Sequence, residues 1–435
     1  MADVPEPSMF SAISMAAEIP SSDDPIPTYR IDLSLPPSER YVQLGTEFAP
    51  KMQKIMPLFD QVLQPAFPRR WMRRWIAILA RIFLRRVYSA EETEEIRGIS
   101  KASGVDMYFL VTLNVLLDSM LGCTSGAAMT TPKGSKKKGA EAEEKRMMHF
   151  RTLDWGMDPL RSVLVVLEFV RSKSEEPNKV IGRTITYAGF MGVLTGVREN
   201  LSISLNFRPN HECSSSKLVL HQLLVLLGFR ASICHVLRSA IFPSTTEAPP
   251  PLEELAVTMS QERTAPCYII ICDGNSATVL EKDLLDAKIR TSDEFIVHTN
   301  NDTTPTPAPS NSSQDPKEEK SLSVLVDDIS VEAFLKDSKE RSACVQKKWQ
   351  ALKGRQRRKQ QAELVAESKM VPPSVREETL EKWVNKYPTM NGQSHFGCIM
   401  DPKQTGIRWL KRGACWLSAE SLTAVEEEDN ITVSD

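Results

Sequence analysis

Cys123, Arg151 and Asp154 are the residues of this chain whose types and spacing could do chemistry together. Cys123 stands in Leu121-Gly122-Cys123-Thr124-Ser125-Gly126, where an apolar, helix-like run opens onto small polar residues. A cysteine there fits core packing, because cysteine is among the most buried residue types. It also fits nucleophilic catalysis, which needs cations or amines close to a thiol whose free pKa is about 8.5. Phe150-Arg151-Thr152-Leu153-Asp154-Trp155-Gly156 can supply such charges, since an Arg and an Asp at i, i+3 interrupt a strand-like apolar pattern. The same two charges also read as an exposed strand-edge salt bridge, worth under ~1 kcal/mol. On these residues alone both readings stay open.

The bulk of the chain narrows the classes. Its 435 residues and 48.8 kDa suffice for one large domain or two to three ordinary ones. Hydrophobic residues at 41% and charged residues at 25% match a globular chain with a sizeable core. A net charge of -2 speaks against a nucleic-acid partner, whose binding rests on an excess of basic residues. The eight cysteines form no C-x-x-C pair and the six histidines are scattered, so neither a zinc site nor a cofactor is expected. The first twenty residues lack the basic and apolar regions of a secretory signal, which tilts the expected location toward the cytoplasm. No apolar run reaches the ~18 residues of a membrane span.

The elements that must position Cys123 follow from periodicity. Residues 1–27, rich in Pro, Ser and acids, read as a disordered leader. Thr28 to Leu35 alternates as a strand, and residues 39–65 carry helical spacing. The segment 71–88, WMRRWIAILARIFLRRVY, brackets an aromatic-aliphatic core with arginines. It suits either peripheral contact with an anionic membrane or a packed helix whose arginines snorkel. Residues 91–103 read as a polar, acidic helix and 105–121 as an apolar one ending at Cys123. Low-complexity stretches at 131–146 and 302–322 read as inserts, and 413–435 as a disordered tail.

Strands are expected at 147–156, 161–171, 183–190, 201–207, 267–272, 276–281, 294–300, 394–400 and 406–411. Gly189, Gly192 and Gly196 would form a hairpin turn between the third and fourth of these. Helices are expected at 217–227, 231–242, 252–263, 328–366 and 376–387, with His221 and His235 on apolar faces. Strands in runs flanked by paired helices predict an α+β chain with antiparallel sheet.

Several segments together resemble acid ceramidase and N-acylethanolamine-hydrolysing acid amidase, within the N-terminal-nucleophile (Ntn) hydrolases. They are Thr28-Tyr29-Arg30-Ile31-Asp32-Leu33, Glu95-Ile96-Arg97-Gly98-Ile99, Cys123-Thr124-Ser125 and Arg151-Thr152-Leu153-Asp154. Thr186 to Gly196, His298-Thr299-Asn300, Thr379 to Val384 and His395 to Pro402 complete the set, in order from about Thr28 to Lys411. The resemblance implies a four-layer αββα sandwich, with residues 28–122 as an N-terminal, α-subunit-like segment and 123–412 as a β-subunit-like core. It implies self-cleavage at Gly122–Cys123, leaving a heterodimer of the chain's own two fragments. Cys123 would be the nucleophile, Arg151 would favour its thiolate, Asp154 would orient the new α-amine and Asn300 would stabilise the oxyanion. A second family arginine falls nearest to Arg341, beyond the insert. The implied substrate is an N-acyl lipid, ceramide first, with N-acylethanolamines or an uncleaved lipid-binding role as alternatives. The family's lysosomal members carry a secretory signal not visible here.

Overall fold

In the computed structural model, which describes residues 19–64, 67–116, 122–133, 145–243, 248–303, 331–363 and 371–415, two β-sheets lie face to face between helices. Strands and helices are numbered along the chain. The first sheet runs β1 (Thr28–Asp32), β4 (Leu164–Val170), β5 (Gly182–Tyr187), β6 (Thr195–Arg198), β7 (Leu201–Phe207), β8 (Cys267–Cys272), β9 (Ala277–Lys282) and β10 (Ala287–Ser292). Every neighbouring pair in it is antiparallel except β1 with β4. The second sheet runs β11 (Phe295–His298), β2 (Gly122–Thr131), β3 (Arg146–Asp154), β13 (Ser394–Asp401) and β14 (Gly406–Arg412). A short β12 (Val375–Arg376) pairs in parallel with β2.

The helices divide between the two outer faces. On the first sheet pack α1 (Val42–Ile55), α4 (Ala90–Ser103), α5 (Met107–Leu116), α7 (Ile233–Ile241) and α8 (Leu252–Gln261). The short α2 (Leu58–Leu63), α3 (Arg70–Phe83) and α6 (Ser215–Leu226) lie alongside them. On the second sheet pack α9 (Val331–Glu363) and α10 (Glu377–Val384), whose Val345, Trp349, Leu380 and Val384 meet Met148 and Phe150 of β3. Between the sheets, Met147 and Ala127 meet Tyr268, Ile270 and Val279. The result is an αββα sandwich, as an α+β pattern with four layers requires.

The sandwich dictates why β2 is a strand. The sequence reads residues up to 121 as helix and Cys123 as its end; α5 is described as far as Leu116, residues 117–121 lie outside the described residues, and Cys123 lies inside β2, which spans Gly122–Thr131. Gly-Cys-Thr-Ser-Gly-Ala-Ala lacks the large alternating residues that mark a strand. Small side chains are what its place allows, since a Cβ on Gly126 would come within 2.3 Å of Ile296 O. Position between two layers overrides local propensity here.

Other expectations shift in smaller ways. The helix expected over 39–65 is split between α1 and α2, and residues 161–163 are 3-10 helix ahead of β4. The glycines at 189–196 do not form one hairpin turn, because Gly196 lies inside β6 and pairs with Ile203. Strands β6 and β10 went unseen. Residues 19–27 belong to the fold, with Pro27 O accepting from Val166 N at 2.9 Å and Asp24 O from Arg412. Gly413 to Cys415 are likewise placed, and Cys415 is buried. The rest of the expected leader and tail, most of the two inserts and 117–121 lie outside the described residues. Acidic α4 turns inward: Glu95 is fully buried and pairs with Arg40 and Arg238 at 2.8 Å each. His221 is buried, whereas His235 pairs with Glu92 Oε1 at 2.6 Å rather than resting on an apolar face.

Candidate active site

Strand geometry places the charges around Cys123. Successive side chains of a strand point to opposite faces, so residues three apart lie on opposite sides. On β3, Arg151 therefore faces the first sheet while Asp154 faces α9. Because β2 pairs Gly122 with Asp154 and Cys123 with Leu153, the Gly122–Cys123 bond is flanked by the two charges.

Arg151 reaches the thiol from the inner side. Its Nη2 donates to Cys123 Sγ at 3.2 Å and to Leu205 O at 2.7 Å, and its Nη1 donates to Leu194 O. The guanidinium is fully buried and held by the carbonyls of Leu194, just ahead of β6, and Leu205 of β7. Cys123 is also fully buried. Burial pushes its thiol pKa above the ordinary value, outweighing Arg151, which pulls it down; Asp154 adds to the rise and Arg341 opposes it. Arg151 therefore lowers the thiol pKa without offsetting the effect of burial.

The nitrogen of Cys123 is held as firmly as its sulfur. Its N–H donates to Asn300 Oδ1 at 2.8 Å, and Asn300 Nδ2 donates to Phe207 O at 2.8 Å. On the outer side, Arg341 from α9 brings Nη1 to 2.8 Å from Thr124 Oγ1 and 3.2 Å from Asp154 Oδ2, and Nη2 to 3.3 Å from Asn300 Oδ1. Its Nε donates to Asp337 Oδ2 at 2.8 Å. Asp154 Oδ1 accepts from Ser394 Oγ at 2.5 Å, while its buried Oδ2 makes no well-directed hydrogen bond. Burial raises the Asp154 carboxyl above its ordinary value, with Arg341 and the Ser394 hydrogen bond opposing.

All five residues singled out in the sequence, Cys123, Arg151, Asp154, Asn300 and Arg341, thus meet around one peptide bond. The sequence reading omitted Ser394, Ser338, Arg208 and Asp302. Ser394 sits one residue ahead of the His395-Phe396 segment, and Ser338 lies within the Asp337–Arg341 stretch, where Asn300 N donates to its Oγ at 2.8 Å. Asp302 falls in the stretch 302–322 that reads as insert, yet it accepts two hydrogen bonds from Arg208, at 2.8 and 3.0 Å. Nothing in its Asn-Asp-Thr-Thr context distinguishes it from insert. Among the described residues no group of three His, Cys, Asp or Glu is arranged to hold a metal.

Comparison with known proteins points one way. A family model described as the beta subunit of N-acylethanolamine-hydrolyzing acid amidase matches residues 24–88. That description uses "beta" for a segment ahead of Cys123, where the sequence reading used "α-subunit-like". An uncharacterized protein of Acanthamoeba polyphaga mimivirus is 26% identical over 281 residues, 63% of this chain and 78% of that protein. Acid ceramidase of Rattus norvegicus is 24% identical over 204 residues, 43% of this chain and 47% of that one. N-acylethanolamine-hydrolyzing acid amidase of Caenorhabditis elegans is 29% identical over 192 residues, 41% and 47% respectively. The match thus spans about half the length of these two curated amidases. A solved structure of the Caenorhabditis elegans N-acylethanolamine-hydrolyzing acid amidase ortholog aligns over 65% of this chain and 93% of that one, at 18% identity and TM-score 0.41. By its family model and its relatives, the chain is similar to the acid ceramidase and N-acylethanolamine-hydrolysing acid amidase family.

Proposed function

We propose that this chain is an N-terminal-nucleophile amide hydrolase that cleaves itself at Gly122–Cys123 and then splits an N-acyl lipid, ceramide first, into a fatty acid and an amine. One observation carries the reading: the backbone nitrogen of Cys123 sits inside the charged cluster, hydrogen-bonded to Asn300. A cysteine acting by its sulfur alone has no use for a held α-nitrogen. Once that nitrogen becomes an amine, with an ordinary pKa of about 7.7–8.0, it can serve as base for the buried, protonated thiol.

The steps balance as follows. In self-cleavage, Cys123 Sγ adds to the Gly122 carbonyl carbon, the C–N bond breaks, and the nitrogen takes the thiol proton. A thioester and a free amine result, and water then releases the Gly122 carboxylate and restores the thiol. In turnover, the amine accepts the thiol proton as sulfur attacks the substrate amide. The resulting ammonium returns that proton to the leaving amine. Water hydrolyses the acyl-thioester to the fatty acid. Asp154 Oδ2 would accept a hydrogen bond from the new ammonium, Arg151 would favour the developing thiolate, and Arg341 would hold Asp154 ionised. Asn300, whose Nδ2 is fixed by its hydrogen bond to Phe207 O, would stabilise the oxyanion. The two fragments, divided at residue 122, would remain joined through the shared sandwich.

The assay is fatty-acid release from ceramide and from an N-acylethanolamine by purified protein, alongside a denaturing gel. Two fragments with faster ceramide turnover support the reading as stated. Faster N-acylethanolamine turnover moves the substrate to the second class. One intact chain without turnover of either lipid makes the chain a lipid-binding member of its fold.

A lipid surface also has a counterpart in α3. The helix buries Arg73, which binds Asp60 at 2.8 Å, and leaves Trp71, Trp75, Ile78, Leu79, Ile82 and Phe83 between 45% and 60% exposed. An apolar outer face edged by Arg70, Arg74 and Arg81 suits the boundary of an anionic bilayer, and the snorkelling alternative does not explain outward tryptophans. Trp71→Ser with Trp75→Ser is expected to weaken sedimentation with phosphatidylserine vesicles by about tenfold or more. Unchanged binding would remove α3 from the docking surface.

A further inference from the structure

We infer that Arg208 and Asp302, with Tyr268, form a clamp whose task is to hold the Asn300 carboxamide against the Cys123 nitrogen, which makes them positioning residues of the reaction. The inference rests on the function proposed above. Asn300 stands on the irregular chain after β11, outside the sheet ladder, where its N–H donates to Ser338 Oγ at 2.8 Å. Two residues later Asp302 receives a two-pronged contact from Arg208, with Nε to Oδ1 at 2.8 Å and Nη2 to Oδ2 at 3.0 Å. Tyr268 OH donates to the same Oδ1 at 2.8 Å. Arg208 itself is fixed by Lys282 O at 3.1 Å, so the clamp is anchored in β9.

The clamp belongs to a larger grip by the end of β7. Asn206 Nδ2 donates to His298 O and Thr299 O at 3.2 Å each, and Phe207 O accepts from Asn300 Nδ2. The same strand supplies Leu205 O, which accepts from Arg151. One strand end therefore fixes both the guanidinium beside the sulfur and the carboxamide beside the nitrogen. A planar guanidinium on a carboxylate sets orientation as well as distance, which a lysine cannot reproduce. Burial alone would raise the Asp302 pKa, but hydrogen bonds from Arg208 and Tyr268 keep it below the ordinary value.

The test uses the full chain and three single variants, Asp302→Asn, Arg208→Lys and Glu168→Gln. The last removes a partly buried ion pair to Arg183 on the same sheet and calibrates ordinary destabilisation. Thermal melts, the rate of self-cleavage, and kcat and KM for ceramide are read for each. Loss of the clamp is expected to lower self-cleavage and kcat by about 10²-fold, with KM within about twofold, the effect of a displaced catalytic group. Glu168→Gln should lower Tm while leaving kcat at the wild-type level. Wild-type kcat in a folded Arg208→Lys protein overturns the clamp, whatever becomes of Asp302→Asn. So does a loss confined to Tm or shared equally by Glu168→Gln. A wild-type chain that neither cleaves itself nor turns over lipid overturns instead the function on which the clamp rests.

Discussion

Cys123→Ala is expected to run as one 48.8 kDa chain under conditions in which the wild type yields two fragments, the larger beginning Cys-Thr-Ser. Turnover of ceramide should fall by about 10⁴-fold or more, as when a hydrolase loses its nucleophile. The variant loses the sulfur needed for the acyl shift and also keeps Gly122 attached to the nitrogen, so it lacks both nucleophile and base. Its stability should change little beyond one small core substitution, because the Cys123 N–H bond to Asn300 and the β2–β3 register do not depend on the side chain. N-terminal sequencing and fatty-acid release decide the matter. Cleavage at residue 122 in the alanine protein would assign the cut to an outside protease, and wild-type turnover would remove Cys123 from the chemistry.

The second large effect belongs to Arg341→Leu. Arg341 is 1% exposed and faces Asp154, 2% exposed, at 3.2 Å. Taking away one partner of a buried pair leaves the other charge uncompensated, which costs about 3–5 kcal/mol. The loss should depend on pH. Burial already lifts the Asp154 carboxyl above 3.8, and Arg341 is the chief influence opposing that lift. Without Arg341 the folded-state value rises further. A carboxyl with a raised folded-state pKa contributes stability that is present in acid and is lost as pH rises through that value. The deficit of the variant should therefore be small near about pH 4 and grow toward about pH 7. Urea titrations at both ends measure it, and an equal loss at the two would mean that Asp154 is not the group left unpaired. Asp154→Leu combined with Arg341→Leu should recover much of the stability but none of the activity, since the pair is removed together.

Much of the fold was legible because its strands and helices carry their own periodicity. The runs in β4, β7 and β8, rich in β-branched and large apolar residues, announce buried strands, and the spacing of α7 and α8 announces helices flanking them. Residue types identified Cys123, Arg151 and Asp154 as able to do chemistry, and family resemblance added Asn300 and Arg341. What the sequence determined by itself was this inventory of elements and of reactive groups.

Their relative placement was decided by tertiary structure. β2 is a strand only because small residues fit between two layers, a constraint invisible in a local window. Whether Arg151 and Asp154 form an exposed ion pair or flank a peptide bond depends on which layer covers each face of β3, the first sheet on one side and α9 on the other. Arg341 reaches Asn300 from α9, across residues 304–330, because Val345 and Trp349 dock that helix on the second sheet. Asp302 looks like insert until Arg208 of a different sheet closes on it. α3 reads as amphipathic in any window, but only its packing shows that Arg73 faces in and the tryptophans face out. Periodicity reports how one segment alternates, whereas burial and charge pairing depend on which segments meet, and that meeting is a long-range property of the whole chain.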